Sequence, residues 1–421
     1  MTKRINPNKN TGGLIAALDL GTTKACCLIA EPKESGLQVV GIGHQAAAGL
    51  RAGTIVDMDA AERTIRATVE AAEQMAGTNI REVVVNIGCG APTSKLIAYD
   101  VSVAGHEIGD ADLRRILGQA EAAAADPAER DLIHAIPVGY TIDGHRGVRD
   151  PRGMVGERLG VNMHLVSAAQ GPLRNLVACV QRCHLGIRAR VVSPYAAALS
   201  CLVEDETQLG VTLLEFGGGS TTIAVFFDGE LVHTDAIPLG GINITNDIAR
   251  GLSTPLAHAE RLKTLYGSAL PSPSDDRESI RIPLIGEEDD EEEDTRIPRS
   301  MLIGIIRPRV EEILEMVRNR LEGAGFAGVA GRRVVLTGGS SQLPGVRELA
   351  GLVLDKQVRL GRPKAVNGLA EAVSGAAFAT GVGLLAFAQR LPGGTQPKVY
   401  RPIEEPSGRW GRFGQWFREN F

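Results

Sequence analysis

Two stretches of this chain combine an acid, a glycine turn and a run of hydroxyls at spacings suited to holding a phosphate chain. They are Asp19-Leu-Gly-Thr-Thr-Lys24 and Glu215-Phe-Gly-Gly-Gly-Ser-Thr-Thr222. Backbone N–H groups reach phosphate oxygens best where side chains are absent or small, in tight turns that often need positive φ. Gly21 meets that need in the first stretch, and Gly217, Gly218 and Gly219 in the second. The hydroxyls of Thr22, Thr23, Ser220, Thr221 and Thr222 add donors. Lys24 can neutralise phosphate charge, and Asp19 can position Mg2+ through the ion's waters, because that ion dehydrates reluctantly. Either stretch alone reads equally well as a glycine hairpin connection. Two of them half a chain apart point to one divided site.

A third glycine turn, Leu336-Thr-Gly-Gly-Ser-Ser-Gln-Leu-Pro-Gly345, follows an apolar run and leads toward a helix. Gly338, Gly339 and Ser340 there suit contact with a base or ribose. Glu260 and Lys263 lie three apart and share one helix face, from which they can reach a ribose and a base edge; a surface salt bridge is the plainer alternative.

The elements that must carry these turns follow from the hydrophobic pattern. Apolar runs at Leu14–Leu20, Cys26–Ala30 and Leu37–Gly43 read as an antiparallel meander. Asp59 is expected to cap a helix running to about Met75, with Ala61, Ile65, Val69 and Ala72 on one face. The strand Glu82–Ile87 closes the unit. The pattern changes between Gly88 and Val161, where an alanine-rich helix near Asp110, a run Leu132–Pro137 and a turn-rich stretch from Asp143 suggest a small inserted α/β subdomain. Alternation resumes over 162–203, with strands at Met163–Ser167 and Ala189–Val192 and helices at Pro172–His184 and Pro194–Val203.

The opening is then repeated: Val211–Phe216, a glycine turn, Ile223–Phe227 and Leu231–Ile237. Strand, glycine turn, strand, strand, twice over, predicts a duplicated α/β fold with a ligand cleft between its halves. The second half is expected over 204–242 and 323–390, split by a helical stretch over 243–322 with a long amphipathic helix at Arg299–Leu321. The acidic run Glu287–Asp294 in that stretch reads as a solvated loop, or as a device that repels or selects a basic partner.

With 421 residues, 43% hydrophobic and 23% charged, the chain is long enough for two or more domains and is not a disordered polyelectrolyte. A net charge of -5 gives no global field toward nucleic acid, so no nucleic-acid partner is expected. Six cysteines without CxxC or framework spacing read as reduced core residues. The polar residues 1–13 are followed by only a short apolar stretch holding Asp19, so neither a signal peptide nor a membrane span is expected.

From Leu391 to Gly408 a Pro/Gly-rich composition favours an extended tether. Five of the sixteen aromatic residues then fall within 409–421. At about 100° per residue, Trp410, Phe413, Phe417 and Phe421 occupy an arc of about 80°, with Trp416 at its edge. Arg412 and Arg418 face away, and Arg409 precedes them. Aromatic on one side and basic on the other is the composition of a helix lying in a membrane interface; docking on the protein's own body or in a partner's groove are the alternatives.

These parts, in this order, resemble the actin, hexokinase and heat-shock-ATPase superfamily: two phosphate loops, the Thr337–Ser340 turn, and the small-residue helices Pro194–Ser200 and Gly375–Leu385 that would connect the halves at a hinge. Within it the chain is similar to the FtsA family of bacterial cell-division proteins. The stretches Val192–Ala198, Asp235–Gly241 and Val334–Gly339 and the segment 88–161 carry that likeness.

The resemblance implies an actin-like, ribonuclease-H-like duplicated fold that binds ATP and Mg2+, with Gly241 also at the nucleotide. It implies self-association into filaments and a membrane-surface location at the division site. It also implies docking of the C-terminal peptide of FtsZ near Arg296 and Arg299, and later division proteins binding the insert. A rod-shape filament protein or a metabolite kinase of the same superfamily is the rival. Glu215 stands where the superfamily usually has Asp, and Thr222 where relatives often have a second Asp. Those departures imply at most a weak ATPase, with Glu215 the candidate catalytic group.

Overall fold

The computed structural model describes residues 13–391, apart from 35, 125–128, 286–294, 329 and 365. The acidic run 287–294 and all but the first residue of the tether lie outside the described residues, as does the aromatic tip with Arg409, Trp410, Arg412, Phe413, Trp416, Phe417, Arg418 and Phe421.

The chain opens with β1 (Ile15–Leu20), β2 (Lys24–Lys33) and β3 (Gly36–Ala46), a small hairpin of β4 (Leu50–Arg51) and β5 (Thr54–Ile55), helix α1 (Met58–Ala76) and β6 (Glu82–Ile87). Asp57, not Asp59, caps α1. Asp57 has extended backbone and its carboxylate accepts the Ala60 N–H at 3.0 Å, whereas Asp59 sits in the first turn and pairs with Arg182 at 3.0 Å. Such a cap is worth about 1 kcal/mol. Ala61, Ile65, Val69 and Ala72 are buried as the periodicity predicts.

The insert follows: β7 (Thr93–Ser102), α2 (Asp110–Ala124), β8 (Arg130–Ile142), β9 (His145–Val148) and β10 (Arg158–Ala169). Its strands form a separate sheet in the order β7-β10-β8-β9. The expected boundary after Val161 falls inside β10, which pairs along its whole length with β7 and β8; the strand belongs to the insert and the first half resumes after Ala169. The first half is completed by α3 (Gln170–Arg182), β11 (Gly186–Val192) and α4 (Ser193–Cys201).

The second half contains α5 (Glu204–Leu209), β12 (Val211–Phe216), β13 (Thr221–Phe227), β14 (Glu230–Ile237), α6 (Gly241–Gly251), α7 (Leu256–Tyr266), the hairpin β15 (Ser279–Ile282) and β16 (Thr295–Pro298), and α8 (Arg299–Gly323). It ends with β17 (Arg333–Thr337), α9 (Val346–Leu354), β18 (Gln357–Leu360) and α10 (Ala379–Arg390). Among the described residues the two large sheets run β11-β6-β1-β2-β3 and β14-β13-β12-β17-β18. In each, the strand before a glycine loop is central, antiparallel to its hairpin partner and parallel to its other neighbour, so the duplication extends to topology.

β1 is apolar on both faces because both are covered. Ala16, Leu18 and Leu20 join the core under α1 and α3, while Ile15 and Ala17 pack against Val382, Leu384 and Leu385 of α10. Asp19 continues the second set, so its carboxylate emerges beside α10. β12 repeats this: Val211 and Leu213 pack with α4 residues and Ala379, and Glu215 continues that face. The helices α4 and α10 thus lie between the halves and cross where Gly383 meets α4. A Cβ built on Gly383 would lie 1.7 Å from the Ala196 carbonyl oxygen.

Candidate functional site: the cleft between the halves

A cavity of about 450 Å3 lies between the two sheets. It is lined by Asp19, Gly21, Thr22, Thr23 and Lys24 from the first stretch and by Glu215, Gly217, Gly218, Gly219, Ser220 and Thr222 from the second. Gly241, Glu260, Lys263, Gly338, Gly339 and Ser340 complete the group. Thr221 is the exception among the sequence candidates. Alternation along β13 turns it away from the cleft, where its buried hydroxyl donates to the Leu239 carbonyl at 2.9 Å.

The two loops are built alike. Gly21 N–H donates to the Lys24 carbonyl at 2.9 Å, and Gly217 N–H to the Ser220 carbonyl at 2.9 Å. They also face each other at close range: a Cβ on Gly218 would meet Thr23 Cγ2 at 2.7 Å, and one on Gly219 would meet Thr22 Oγ1 at 2.5 Å. The third turn is fastened to the second loop through Ser340, whose hydroxyl donates to the Gly217 carbonyl at 2.9 Å. Gly338 there has φ of 89° and no room for a side chain beside the Phe216 carbonyl, so glycine is required.

Lys24 Nζ donates to the Ala377 carbonyl and lies 3.4 Å from the centre of the Phe378 ring, a cation–π contact at the approach to α10. Burial lowers its pKa, with Asp19 opposing that shift. Burial likewise raises the Asp19 carboxyl above the usual range, with Lys24 pulling it back. Glu215 is pushed up to about 7 by burial, and is held down in part by the Thr380 and Thr222 hydroxyls that donate to it. Thr222 donates to Oε2 at 2.9 Å and Thr380, in the first turn of α10, to Oε1. Glu215 therefore joins the second glycine loop to a helix between the halves.

Glu260 and Lys263 form an ion pair at 2.7 Å, and they are more than a surface bridge. Lys263 Nζ also donates to Thr245 Oγ1 at 2.8 Å and the Gly241 carbonyl at 3.1 Å, tying α7 to α6 at the cleft wall. Sequence reasoning missed Asn86 and Ser193. Asn86 accepts the Leu20 N–H at 2.7 Å and donates to Ser193 at 3.1 Å, which fixes the end of β1. A lone polar residue within the apolar run Val83–Ile87 was the available signal.

Outside the cleft, Arg299 is engaged within its own subdomain, pairing with Asp275 at 2.8 Å and Glu278 at 3.3 Å and donating to the Tyr266 carbonyl. Arg296 is exposed on β16, directly across the ladder from Arg281. The cysteines are all free thiols, as expected; all are buried except Cys183, which is half-buried.

With the geometry in hand, comparison with known proteins is decisive. The profile for cell division protein FtsA matches residues 212–383, and that for the SHS2 domain inserted in FTSA matches 92–167, the span of β7 to β10. The cell division protein FtsA of Agrobacterium fabrum is 42% identical over 97% of this chain and 95% of its own length. The chain belongs to the FtsA family of cell-division proteins.

The FtsA of Pseudomonas aeruginosa is 36% identical over 98% of this chain and 99% of its own, and that of Escherichia coli is 29% identical over 97% and 98%. Among solved structures, the PilM-PilN type IV pilus biogenesis complex contains a chain with TM-score 0.64 at 18% identity, covering 90% of this chain and 99% of that one. MreB5 of Spiroplasma citri bound to ADP gives TM-score 0.54 at 13% identity, covering 89% and 96%. Both likenesses show the actin-like fold. An actin-like cell-division protein with the family's inserted domain is thus established. Among the described residues no helix is long and apolar enough to cross a membrane.

Proposed function

We propose that this protein holds ATP between its two phosphate loops, polymerises in that state, and fastens an FtsZ ring to the cytoplasmic face of the membrane at the division site. The observation that carries the reading is the mutual approach of Gly218 and Gly219 to Thr23 and Thr22 across the cleft. Side chains are absent from one loop where the other lies closest, as a phosphate chain clamped by backbone from both sides requires. Glu260 and Lys263 then reach the sugar and base side, with the third turn opposite.

Mg2+ fits this donor set. It needs few protein ligands when phosphates supply the rest, and Asp19 and Glu215 offer hard oxygen at the ends of β1 and β12. When bound, the ion would neutralise phosphate charge; Asp19 would hold it through water.

Hydrolysis is a separate matter. Both oxygens of Glu215 already accept hydroxyls, from Thr222 and Thr380, which turns the carboxyl toward the protein and away from an attacking water, and Thr222 cannot serve as a general base. Turnover below about one per minute is expected, rising when Thr222→Asp restores an acid. Wild-type turnover well above that rate, with the variant no faster, would overturn this part.

The membrane contact rests on the aromatic and basic residues 409–421, which act as a weak single anchor strengthened by polymerisation. Flotation of the full chain with anionic liposomes should be lost on removing residues 409–421; equal flotation of both would refute the anchor. Docking of the acidic FtsZ peptide is assigned to the 243–322 subdomain with Arg296 foremost, since Arg299 already has two acidic partners. The insert is the surface for later division proteins.

A further inference from the structure

The inserted sheet has two faces. Met163 and Leu165 of β10 turn into the insert's own core with Ile116 and Ala120 of α2. The opposite face lies against the body of the molecule, where Leu96 of β7, opposite His164, joins the core of the second half. Contact is made at the free edge of β14: Ser94 Oγ donates to the Thr234 carbonyl at 2.9 Å and accepts the Thr234 N–H at 2.7 Å. One serine hydroxyl thus caps an otherwise unpaired stretch of edge strand.

Three histidines are buried around this contact: His164 on β10, His233 on β14 and His134 on β8. His164 is fully buried, and among the described residues no donor or acceptor reaches either of its ring nitrogens; the same holds for Nε2 of His233. His233 stacks on Phe326 with ring centres 4.8 Å apart, and its Nδ1 lies 3.4 Å from Ser94 Oγ. His134 accepts the Val192 N–H at 3.1 Å and sets its ring edge-on to Tyr195 of α4 and Phe387 of α10, the helices between the halves.

We propose that the seam between the insert and β14 is a proton-gated lock: neutral His164 and His233 keep the insert seated on the second half, and protonating either ring unseats it. Adding a charge to a dry, unpaired ring is unfavourable unless water or an acid can reach it. Among the described residues the titratable groups that act on His164 are His233 and His134, and neither supplies that acid. Asp235, two residues along β14, is the carboxylate that acts on His233, and it pairs with Arg320 of α8 at 3.5 Å. His134 faces Arg190 of β11, which pairs with Asp131 at 3.8 Å. At the far end of β14, Asp228 is bound by Arg149 of the insert at 2.9 Å in an exposed bridge. Burial moves His164 down to about 3 and His233 to about 4, in the direction the geometry requires.

The sign follows from linkage. Seated rings stay neutral while exposed ones titrate near 6.5, so the seam is at full strength above about pH 6.5 and weakens as pH falls. Two rings exposed on unseating change the open-to-seated ratio by about 100-fold per pH unit near pH 5.

The test is hydrogen exchange of the full chain, corrected for the intrinsic pH dependence of amide exchange, from about pH 7.5 to about pH 5. Peptides covering β7 and β14 should lose protection steeply below about pH 6.5 while β1 and β12 stay protected. His164→Leu should reduce the slope by about tenfold per pH unit. Protection at the seam that does not change with pH, loss in β1 and β12 at the same pH, or an unaltered slope in the variant would each overturn the proposal. Should His164→Leu fail to fold, histidine resonances of the wild type decide the matter. Titration of His164 and His233 near 6.5 while the β14 amides stay protected would contradict the lock, and rings that remain neutral until those amides open would support it.

Discussion

Replacing Gly219 with valine is expected to weaken ATP binding by at least about 100-fold. The reason lies in what a Cβ there would meet. Thr22 Oγ1 would be at 2.5 Å, Thr22 Cγ2 at 2.9 Å and the Ala52 Cα at 3.0 Å. A threonine side chain can turn aside, but Ala52 Cα belongs to the backbone of a tight hairpin and cannot. The loops must separate, and a displacement of about 1 Å is enough to forfeit about two orders of magnitude where groups converge on one ligand. The fold should survive, because the substitution lies at the cleft surface and both cores are built from other residues. Titration calorimetry with MgATP measures the loss. Gly304→Ala, on the outer face of α8 with nothing within 4 Å, is the control and should bind as the wild type does. Unchanged affinity in Gly219→Val would mean that the loops do not clamp the ligand.

The second large effect is on stability. Gly383→Leu should destabilise the protein by at least about 3 kcal/mol in urea unfolding. Its Cβ would lie 1.7 Å from the Ala196 carbonyl oxygen, 2.3 Å from its carbon and 3.1 Å from its Cα. Every near atom is main chain of α4, so no rotamer change relieves the overlap and the two helices must part. That would strip cover from the α10 side of the first sheet, where Leu384 and Leu385 are buried against β1 and β2 residues such as Ala17 and Leu28. Gly383→Ala should already show most of the loss, since the Cβ itself is the offending atom. A midpoint equal to that of the wild type would contradict the close crossing.

How much of this was legible in the sequence depends on the range of the interaction. The two facing glycine loops were readable because acid, glycines and hydroxyls sit within eight residues, and a hairpin closes over that span. Even the Glu215 and Thr222 bond is local in this sense, since the two residues are register partners on β12 and β13. Thr221 was misread because the glycine turn hid the phase of the alternation; only the ladder shows which hydroxyl turns inward. Thr380 went unseen because it reaches Glu215 across 165 positions, through a crossing of helices that no periodicity reports.

The same division runs through the fold. α1 declared its buried face by a strict helical period, but its cap slipped by two residues because two aspartates compete at the start. The strand β7 was missed: its burial alternates weakly, with exposed Thr93 and Lys95 among the apolar positions. The boundary inside β10 was set by a change in composition, whereas the strand's membership is set by its pairing with β7 and β8. Asn86 and Ser193 meet only after β6 and β11 are laid side by side.

The reading of the chain as a nucleotide-held, membrane-bound actin-like polymer is tested most directly by electron microscopy of the full chain on anionic lipid with MgATP. Filaments lying on the lipid surface are expected with ATP, and none with Gly219→Val under the same conditions. A wild-type protein that binds MgATP yet remains dispersed, or filaments that form equally well in the variant, would contradict it.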